Sequence, residues 1–314
     1  MLIDSGLLIV ISLILLYYGG DYLVIGNLQL AKRLKISPFI IGAVVVGFGT
    51  SAPEFAVSVM ASLRGSGDLA LGNVIGSNIA NVGLVLGLTA VVVTLTIEKR
   101  MFKDETPPLI ITSFIIVGFA WDNYLSRIEG FIMIGLLFAY LWKAFRTKEN
   151  SDVELEEGQS FLEGKGPAVQ TCVVLICMVM LISGANLMVE GATGVARKMG
   201  ISEWFIGVSI VALGTSLPEI FSSLGAARRG HGEMAIGCVF GSNIFNILMV
   251  IGAASSIHPL SIGEEIHADL IYTTVLTCLL LILIRMGHAI RKRDGVLLII
   301  CYGSYLGLKG AGIL

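Results

Sequence analysis

Apolar runs separated by short polar turns organise this chain. Six of them, at 5–29, 38–62, 69–93, 168–193, 203–227 and 233–256, reach the length of about 20 residues that crosses a bilayer. Four shorter runs, at 108–124, 128–145, 269–286 and 295–312, are bounded by charged residues. The pattern predicts an all-α, polytopic membrane protein of ten transmembrane helices. One long polar stretch interrupts it, Arg146 to Gly166, with six acidic residues and three glycines. That stretch lacks the ligand spacing of a calcium-binding loop and reads as an acidic, solvated linker.

Composition strengthens the membrane assignment. With 55% apolar residues, 14% charged residues and a mean hydropathy of +0.87, the chain has too few charges to cover a soluble surface. The net charge of -2 says little about partners and gives no reason to expect nucleic acid. Asp4 and the absence of a basic residue before the first apolar run argue against a cleaved signal peptide, so that run is expected to remain as a span. The five cysteines fall inside spans with no C-x-x-C pair and read as small buried apolar residues. The four histidines lie at span ends or in loops, without metal-ligand spacing and with no recognisable serine partner. A zinc centre or an intramembrane enzyme is therefore not expected.

The chain repeats itself. A shift of 165 residues superposes Ile41–Gly87 on Ile206–Gly252 without a gap, with 23 of 47 positions identical. Five spans separate each residue from its counterpart. That number is odd, so the two halves are expected to cross the membrane in opposite directions, as an inverted repeat. The expected divisions are a first five-helix repeat at 1–145, the acidic linker at 146–166 and a second five-helix repeat at 167–314. Placing both termini outside puts 16 of the 21 Lys and Arg residues on the cytoplasmic side, the bias expected of a multi-pass protein of the cell membrane. The acidic linker is then cytoplasmic.

Polar chemistry is concentrated in the repeated segments. Gly49-Thr50-Ser51-Ala52-Pro53-Glu54 and Gly214-Thr215-Ser216-Leu217-Pro218-Glu219 each place a carboxylate, two hydroxyls and a proline in an otherwise apolar span. Proline removes a backbone donor and clashes with the carbonyl four residues back, that of Gly49 or Gly214, which predicts a broken helix near the midplane. At helical spacing Thr50, Ser51 and Glu54 share a face, as do Thr215, Ser216 and Glu219. The following spans carry Gly72 to Asn81 and Gly237 to Asn246, in which Ser77 with Asn81 and Ser242 with Asn246 are again one turn apart. Gly47, Gly49, Gly72 and Gly76 would allow close helix approach or local unwinding. Small residues and hydroxyls at this spacing are common packing devices. Glu54 and Glu219 are not explained that way, because an ionisable group at bilayer depth is costly and marks an ion pathway. Oxygen ligands with two carboxylates suit a hard cation such as calcium.

The paired G-T-S-x-P-E and G-S-N-I-x-N segments resemble the two alpha-repeats of the calcium/cation antiporter superfamily, most closely its prokaryotic sodium/calcium exchangers, over essentially the whole chain. The resemblance implies two inverted five-helix repeats, with the first and sixth helices lying across the core and sliding against it. It implies sodium influx driving calcium efflux by alternating access, with calcium and sodium as substrates, no cofactor, and a monomer sufficient for transport. Metal ligands carried over are Gly47 (through its carbonyl), Thr50, Ser51, Glu54, Ser77 and Asn81. From the second half come Ala212 (through its carbonyl), Thr215, Ser216, Glu219, Ser242 and Asn246. Some relatives have Asp where Asn246 stands, so this chain has one carboxylate fewer than they do. Proton- or potassium-coupled exchange is the alternative within transport, and a cation channel the alternative outside it.

Overall fold

The computed structural model describes residues 2–146, 162–200 and 212–311. Helix α1 (Leu2–Leu34) leads into a bent pair, α2 (Pro38–Thr50) and α3 (Ala52–Leu63), which meet at 46°. Then follow α4 (Gly67–Val92), α5 (Lys99–Phe119) and α6 (Arg127–Arg146). The second series is α7 (Pro167–Lys198), the single turn α8 (Ala212–Thr215), α9 (Leu217–Arg228), α10 (Gly232–Ile257), α11 (Glu265–Gly287) and α12 (Lys292–Gly310). Shifted by 165, the bounds of α3 become those of α9, and the bounds of α4 become those of α10. Most of the acidic stretch and the first part of the span at 203–227 lie outside the described residues.

Among the described residues, six helices (α1, α4, α6, α7, α10 and α11) are long and apolar enough to cross a membrane, and the α2–α3 pair makes a seventh. The apolar run at 108–124 marked its helix poorly. Helix α5 starts at Lys99, ends at Phe119 and contains both Pro107 and Pro108. Its first turns are charged yet amphipathic, burying Met101 and Glu105, so the helix extends past the point where the purely apolar run begins.

Helices α4 and α10 form the centre, and 94% of the α10 span is buried. Glycine permits the tightest contacts around them. A methyl on Gly47 of α2 would lie 2.7 Å from the Ser242 backbone nitrogen, and one on Gly87 of α4 would lie 3.1 Å from the Gly295 carbonyl of α12. Around this centre, α1 and α7 pack along each other. Gly19 and Gly26 of α1 face Met180 and Val174 of α7, and Gly184 and Gly191 of α7 face Leu16 and Ser5 of α1. These four glycines let the two helices pack closely.

Two short antiparallel ribbons clasp the ends. Strand β1 (Leu95–Thr96) pairs with β4 (Ala289–Ile290), and β2 (Tyr124–Leu125) pairs with β3 (Leu260–Ser261). Their registers are Leu95↔Ile290 with Thr96↔Ala289, and Tyr124↔Ser261 with Leu125↔Leu260. Adding 165 to the first-half partner and subtracting it from the second converts one ribbon into the other, register included.

Candidate cation site

The broken helix forms where proline predicts it. Helix α2 ends at Thr50, Ser51 takes φ −78° and ψ 1°, and α3 begins at Ala52 with Pro53 in its first turn, where the missing N–H costs no intrahelical bond. Ser216 repeats this with φ −88° and ψ −1°, ahead of Pro218 in α9. Glu54 and Glu219 therefore sit in the first turns of α3 and α9, where the helix dipole favours negative charge. In the first span the break leaves two half-helices, α2 and α3.

Side chains from both halves meet at these breaks. Glu54 and Glu219 are 3% and 2% exposed. Ser77 of α4 donates to Glu54 Oε1 at 3.3 Å. Thr50 Oγ1 bonds back to the Val46 carbonyl at 3.0 Å and also lies 3.3 Å from Ser242 Oγ on α10. Ser242 Oγ in turn donates to the Gly47 carbonyl at 3.5 Å. The hydroxyls thus bond to their own helix and also reach the opposite half. Ser51, Ser216, Asn81 and Asn246 are all buried. Thr215 ends α8 half-buried, and Ala212 begins that turn. Among the described residues there is no cluster of three or more His, Cys, Asp or Glu side chains. The polar atoms gathered here are carboxylate, hydroxyl, amide and carbonyl oxygens.

Four of these buried groups have no hydrogen-bond partner: Ser51 Oγ, Glu54 Oε2, Glu219 Oε2 and Asn246 Oδ1. Three are pure acceptors and the fourth can act as one. A buried acceptor without a donor costs about 1–3 kcal/mol, more when charged, so a cluster drawn from both halves calls for a positively charged partner.

An amide lattice that motif spacing did not single out holds the two centre helices together. Asn78 Nδ2 donates to the Asn243 carbonyl at 3.3 Å, and Asn243 Nδ2 donates to the Asn78 carbonyl at 3.4 Å. Asn81 Nδ2 donates to Asn243 Oδ1 at 3.0 Å, and Asn246 Nδ2 donates to Asn78 Oδ1 at 2.9 Å. The four asparagines cross-link α4 and α10 symmetrically. They also tie up the NH2 groups of Asn81 and Asn246, leaving their side-chain oxygens to accept. Asn81 and Asn246 each open a π-helical segment, Asn81–Leu86 and Asn246–Ile251, a distortion that often marks functional sites. The sequence did carry a signal, since both motif copies read G-S-N-I-x-N.

The two sides of the site are not covered alike. Helix α1 lies against α9, where a methyl on Gly20 would fall 2.6 Å from the Phe221 carbonyl and one on Gly225 would fall 3.2 Å from the Gly20 carbonyl. The corresponding positions on α3 are Ala56 and Met60, and both are exposed, Met60 to 49%. Asp21 of α1 pairs with Arg229 beyond α9 through two bonds, Nε to Oδ1 at 2.8 Å and Nη2 to Oδ2 at 2.7 Å. That pairing, more than any other influence, raises the Arg229 pKa. The matching residues in the repeat are Asn186 and Arg64, which cannot form an ion pair.

The chain is similar to known proteins along nearly its whole length. The model of a family described as "Sodium/calcium exchanger protein" matches residues 5–146 and 169–310. The chain is 32% identical over 342 residues to the sodium/calcium exchanger MaX1 of Methanosarcina acetivorans, covering 96% of this chain and 97% of that protein. It is 35% identical over 267 residues to the inner membrane protein YrbG of Escherichia coli, covering 82% and 81% of the two chains. A solved structure of the sodium-calcium exchanger NCX_Mj, soaked with 10 mM Na+ and no Ca2+, superposes with a TM-score of 0.84 at 32% identity, over 98% of this chain and 99% of that one.

Proposed function

This chain belongs to the sodium/calcium exchanger protein family, and on that premise we propose that it exchanges sodium for calcium by alternating access at the site between α3, α4, α9 and α10. It is a multi-pass membrane antiporter rather than an enzyme, and ions are its substrates, with no cofactor. The observation that carries the finer reading is the set of unpartnered buried oxygens contributed by Ser51, Glu54, Glu219 and Asn246. Calcium takes six to eight such oxygens. In our reading the ligands are the side chains of Thr50, Ser51, Glu54, Ser77, Asn81, Thr215, Ser216, Glu219, Ser242 and Asn246, with the carbonyls of Gly47 and Ala212.

The two glutamates neutralise one calcium or two sodium ions. With neither bound, two buried like charges would have to pass through a closed state, at a cost of several kcal/mol each. Occupancy therefore licenses movement, and the ions compete for the same carboxylates. The moving parts are α1 and α7, which pack chiefly on each other. The state described here has α1 on α9 and the equivalent face of α3 uncovered.

The topology we propose is ten spans in two inverted five-helix repeats, at 1–145 and 167–314, joined by a cytoplasmic acidic linker, with both termini outside. It adds α5, α12 and the 203–227 span to the seven apolar crossings. The exchange-symmetric ribbons support it, because an inverted repeat puts β1 with β4 on one face and β2 with β3 on the other.

The test is calcium uptake into sodium-loaded proteoliposomes. Glu54→Gln and Glu219→Gln should each abolish uptake, and wild-type rates in either variant would refute the assignment. Uptake without an outward sodium gradient would move the coupling to protons or potassium, and flux without any counter-ion would indicate a channel.

A further inference from the structure

An amide's oxygen and nitrogen have nearly the same shape, so hydrogen bonds decide which of them faces an ion. Asn78, Asn81, Asn243 and Asn246 are each only 1% or 2% exposed, and solvent does not choose for them. Two bonds fix the first pair. Asn78 Nδ2 donates to the Asn243 backbone carbonyl at 3.3 Å, and Asn243 Nδ2 donates to the Asn78 backbone carbonyl at 3.4 Å. A backbone carbonyl can only accept, so each of these side chains must give its NH2 group to the opposite main chain and turn its oxygen away. The second pair follows from the first. Asn78 Oδ1 lies 2.9 Å from Asn246 Nδ2, and Asn243 Oδ1 lies 3.0 Å from Asn81 Nδ2. These oxygens also can only accept, so they require the nitrogens of Asn246 and Asn81. Reversing either amide would set oxygen against oxygen. The oxygens of Asn81 and Asn246 are thereby directed away from the lattice, and Asn246 Oδ1 is left without a hydrogen-bond partner.

We propose that Asn78 and Asn243 are positioning residues of the ion site, and that each orients the ligand carried by the opposite half. Asn78 of α4 sets Asn246 of α10, and Asn243 of α10 sets Asn81 of α4. A hard cation takes an amide through its oxygen, whereas a reversed amide would turn N–H groups toward the ion. Without the Asn78 side chain, the Asn246 amide loses the acceptor that holds its nitrogen and is free to rotate. The Asn81 amide keeps its orientation in that case, because Asn243 Nδ2 is anchored on the main chain of residue 78, which any side chain leaves in place. Loss of the Asn243 side chain does the converse. The dependence is crossed, although Asn78 stands one turn from Asn81 on one helix and Asn243 one turn from Asn246 on the other. Neither half of the site can therefore be set alone, and α4 and α10 act as one block while ions exchange. The inference rests on the reading of Asn81 and Asn246 as ion ligands.

The experiment is calorimetric titration of calcium into the full chain purified in detergent. The single variants are Asn78→Ala, Asn243→Ala, Asn81→Ala and Asn246→Ala, and the double variants combine each of the first two with each of the last two. Asn78→Ala and Asn243→Ala should each weaken calcium binding by about 10–100-fold, the usual effect of removing a group that orients a metal ligand. Asn78→Ala should add little to Asn246→Ala, yet its effect should multiply with that of Asn81→Ala. Asn243→Ala should show the opposite pattern, adding little to Asn81→Ala and multiplying with Asn246→Ala. Thermal midpoints of the same proteins supply the control, because a purely structural role lowers the midpoint without producing the crossed pattern in affinity. Asn78→Ser and Asn243→Ser, whose hydroxyls are one bond shorter than the amide, replace an alanine variant that does not fold. Wild-type affinity in the Asn78 and Asn243 variants, or effects that couple within a helix rather than across the two, would overturn the proposal. Calcium binding by the unaltered chain without the crossed pattern refutes this inference and leaves the antiport reading standing, whereas an unaltered chain that binds no calcium refutes both.

Discussion

Removing the Asp21–Arg229 ion pair should release α1 from α9. The pair has two charge-assisted bonds, at 2.8 and 2.7 Å, and its side chains are 32% and 33% exposed. Hydrogen bonds to charged groups contribute about 1.5–3 kcal/mol when protected, and exposed ion pairs about 0.2–1 kcal/mol. One-third exposure places this pair between those limits, at about 1–2 kcal/mol, which corresponds to a shift of roughly 5–30-fold in an equilibrium. The perturbations are Asp21→Asn, Arg229→Gln and the double variant. The reporter is Phe221→Cys, at the α1–α9 contact, in a background without native cysteines. Its alkylation by a membrane-impermeant thiol reagent tracks the fraction of time that α1 stands away from α9, provided reclosing is fast. Each single variant should raise the rate by about 5–30-fold, with no further increase in the double variant, because either change removes the whole interaction. Arg64→Gln, at the unpaired symmetric position, should leave the rate unchanged. Single variants with wild-type rates, or effects that add in the double variant, would refute the latch.

Three further outcomes follow from the packing. Asn78→Ala strands Asn246 Nδ2 and the Asn243 carbonyl in the buried amide lattice and should lower stability by about 2–4 kcal/mol; an unchanged thermal midpoint in detergent would contradict it. Gly241→Ala drives a methyl into the Ala43 backbone, whereas Gly303→Ala meets nothing within 4 Å, so the first should destabilise by about 1–3 kcal/mol or more and the second should be silent in the same thermal scan. Burial and the adjacent Arg229 guanidinium lower the His231 pKa. The unfolded chain then takes up this proton before the folded one does, and stability should fall as pH drops through about 6.5. His231→Gln should flatten that part of the pH–stability curve, and an unaltered slope would count against the assignment.

How far the sequence could be read depended on the physics behind each feature. The breaks at Ser51 and Ser216 were legible because proline acts locally, and the burial of Glu54 and Glu219 because a charge amid twenty apolar residues leaves few choices. The repeat offset was legible from identity alone and reappears in the bounds of α3, α4, α9 and α10. The π-helical segments at Asn81 and Asn246 were not legible, since side-chain periodicity hardly differs between one added residue and none. Neither was the pairing of Asn78 with Asn243, which depends on how two helices 165 residues apart cross. The charged start of α5 was hidden because span finding follows hydropathy, whereas Met101 and Glu105 are buried by protein. Cys238 reads in the sequence as a small apolar residue, which describes its burial but not the Ser222 hydroxyl 3.6 Å from its sulfur.

Calorimetric titration of calcium into the purified chain, at rising sodium concentrations, addresses most directly the joint hold of two symmetry-related carboxylates on one ion. Calcium should bind at a single site, with an apparent affinity that falls as sodium rises, and heat should disappear in both Glu54→Gln and Glu219→Gln. Calcium binding that is indifferent to sodium, or that survives intact when either carboxylate is neutralised, would contradict the account.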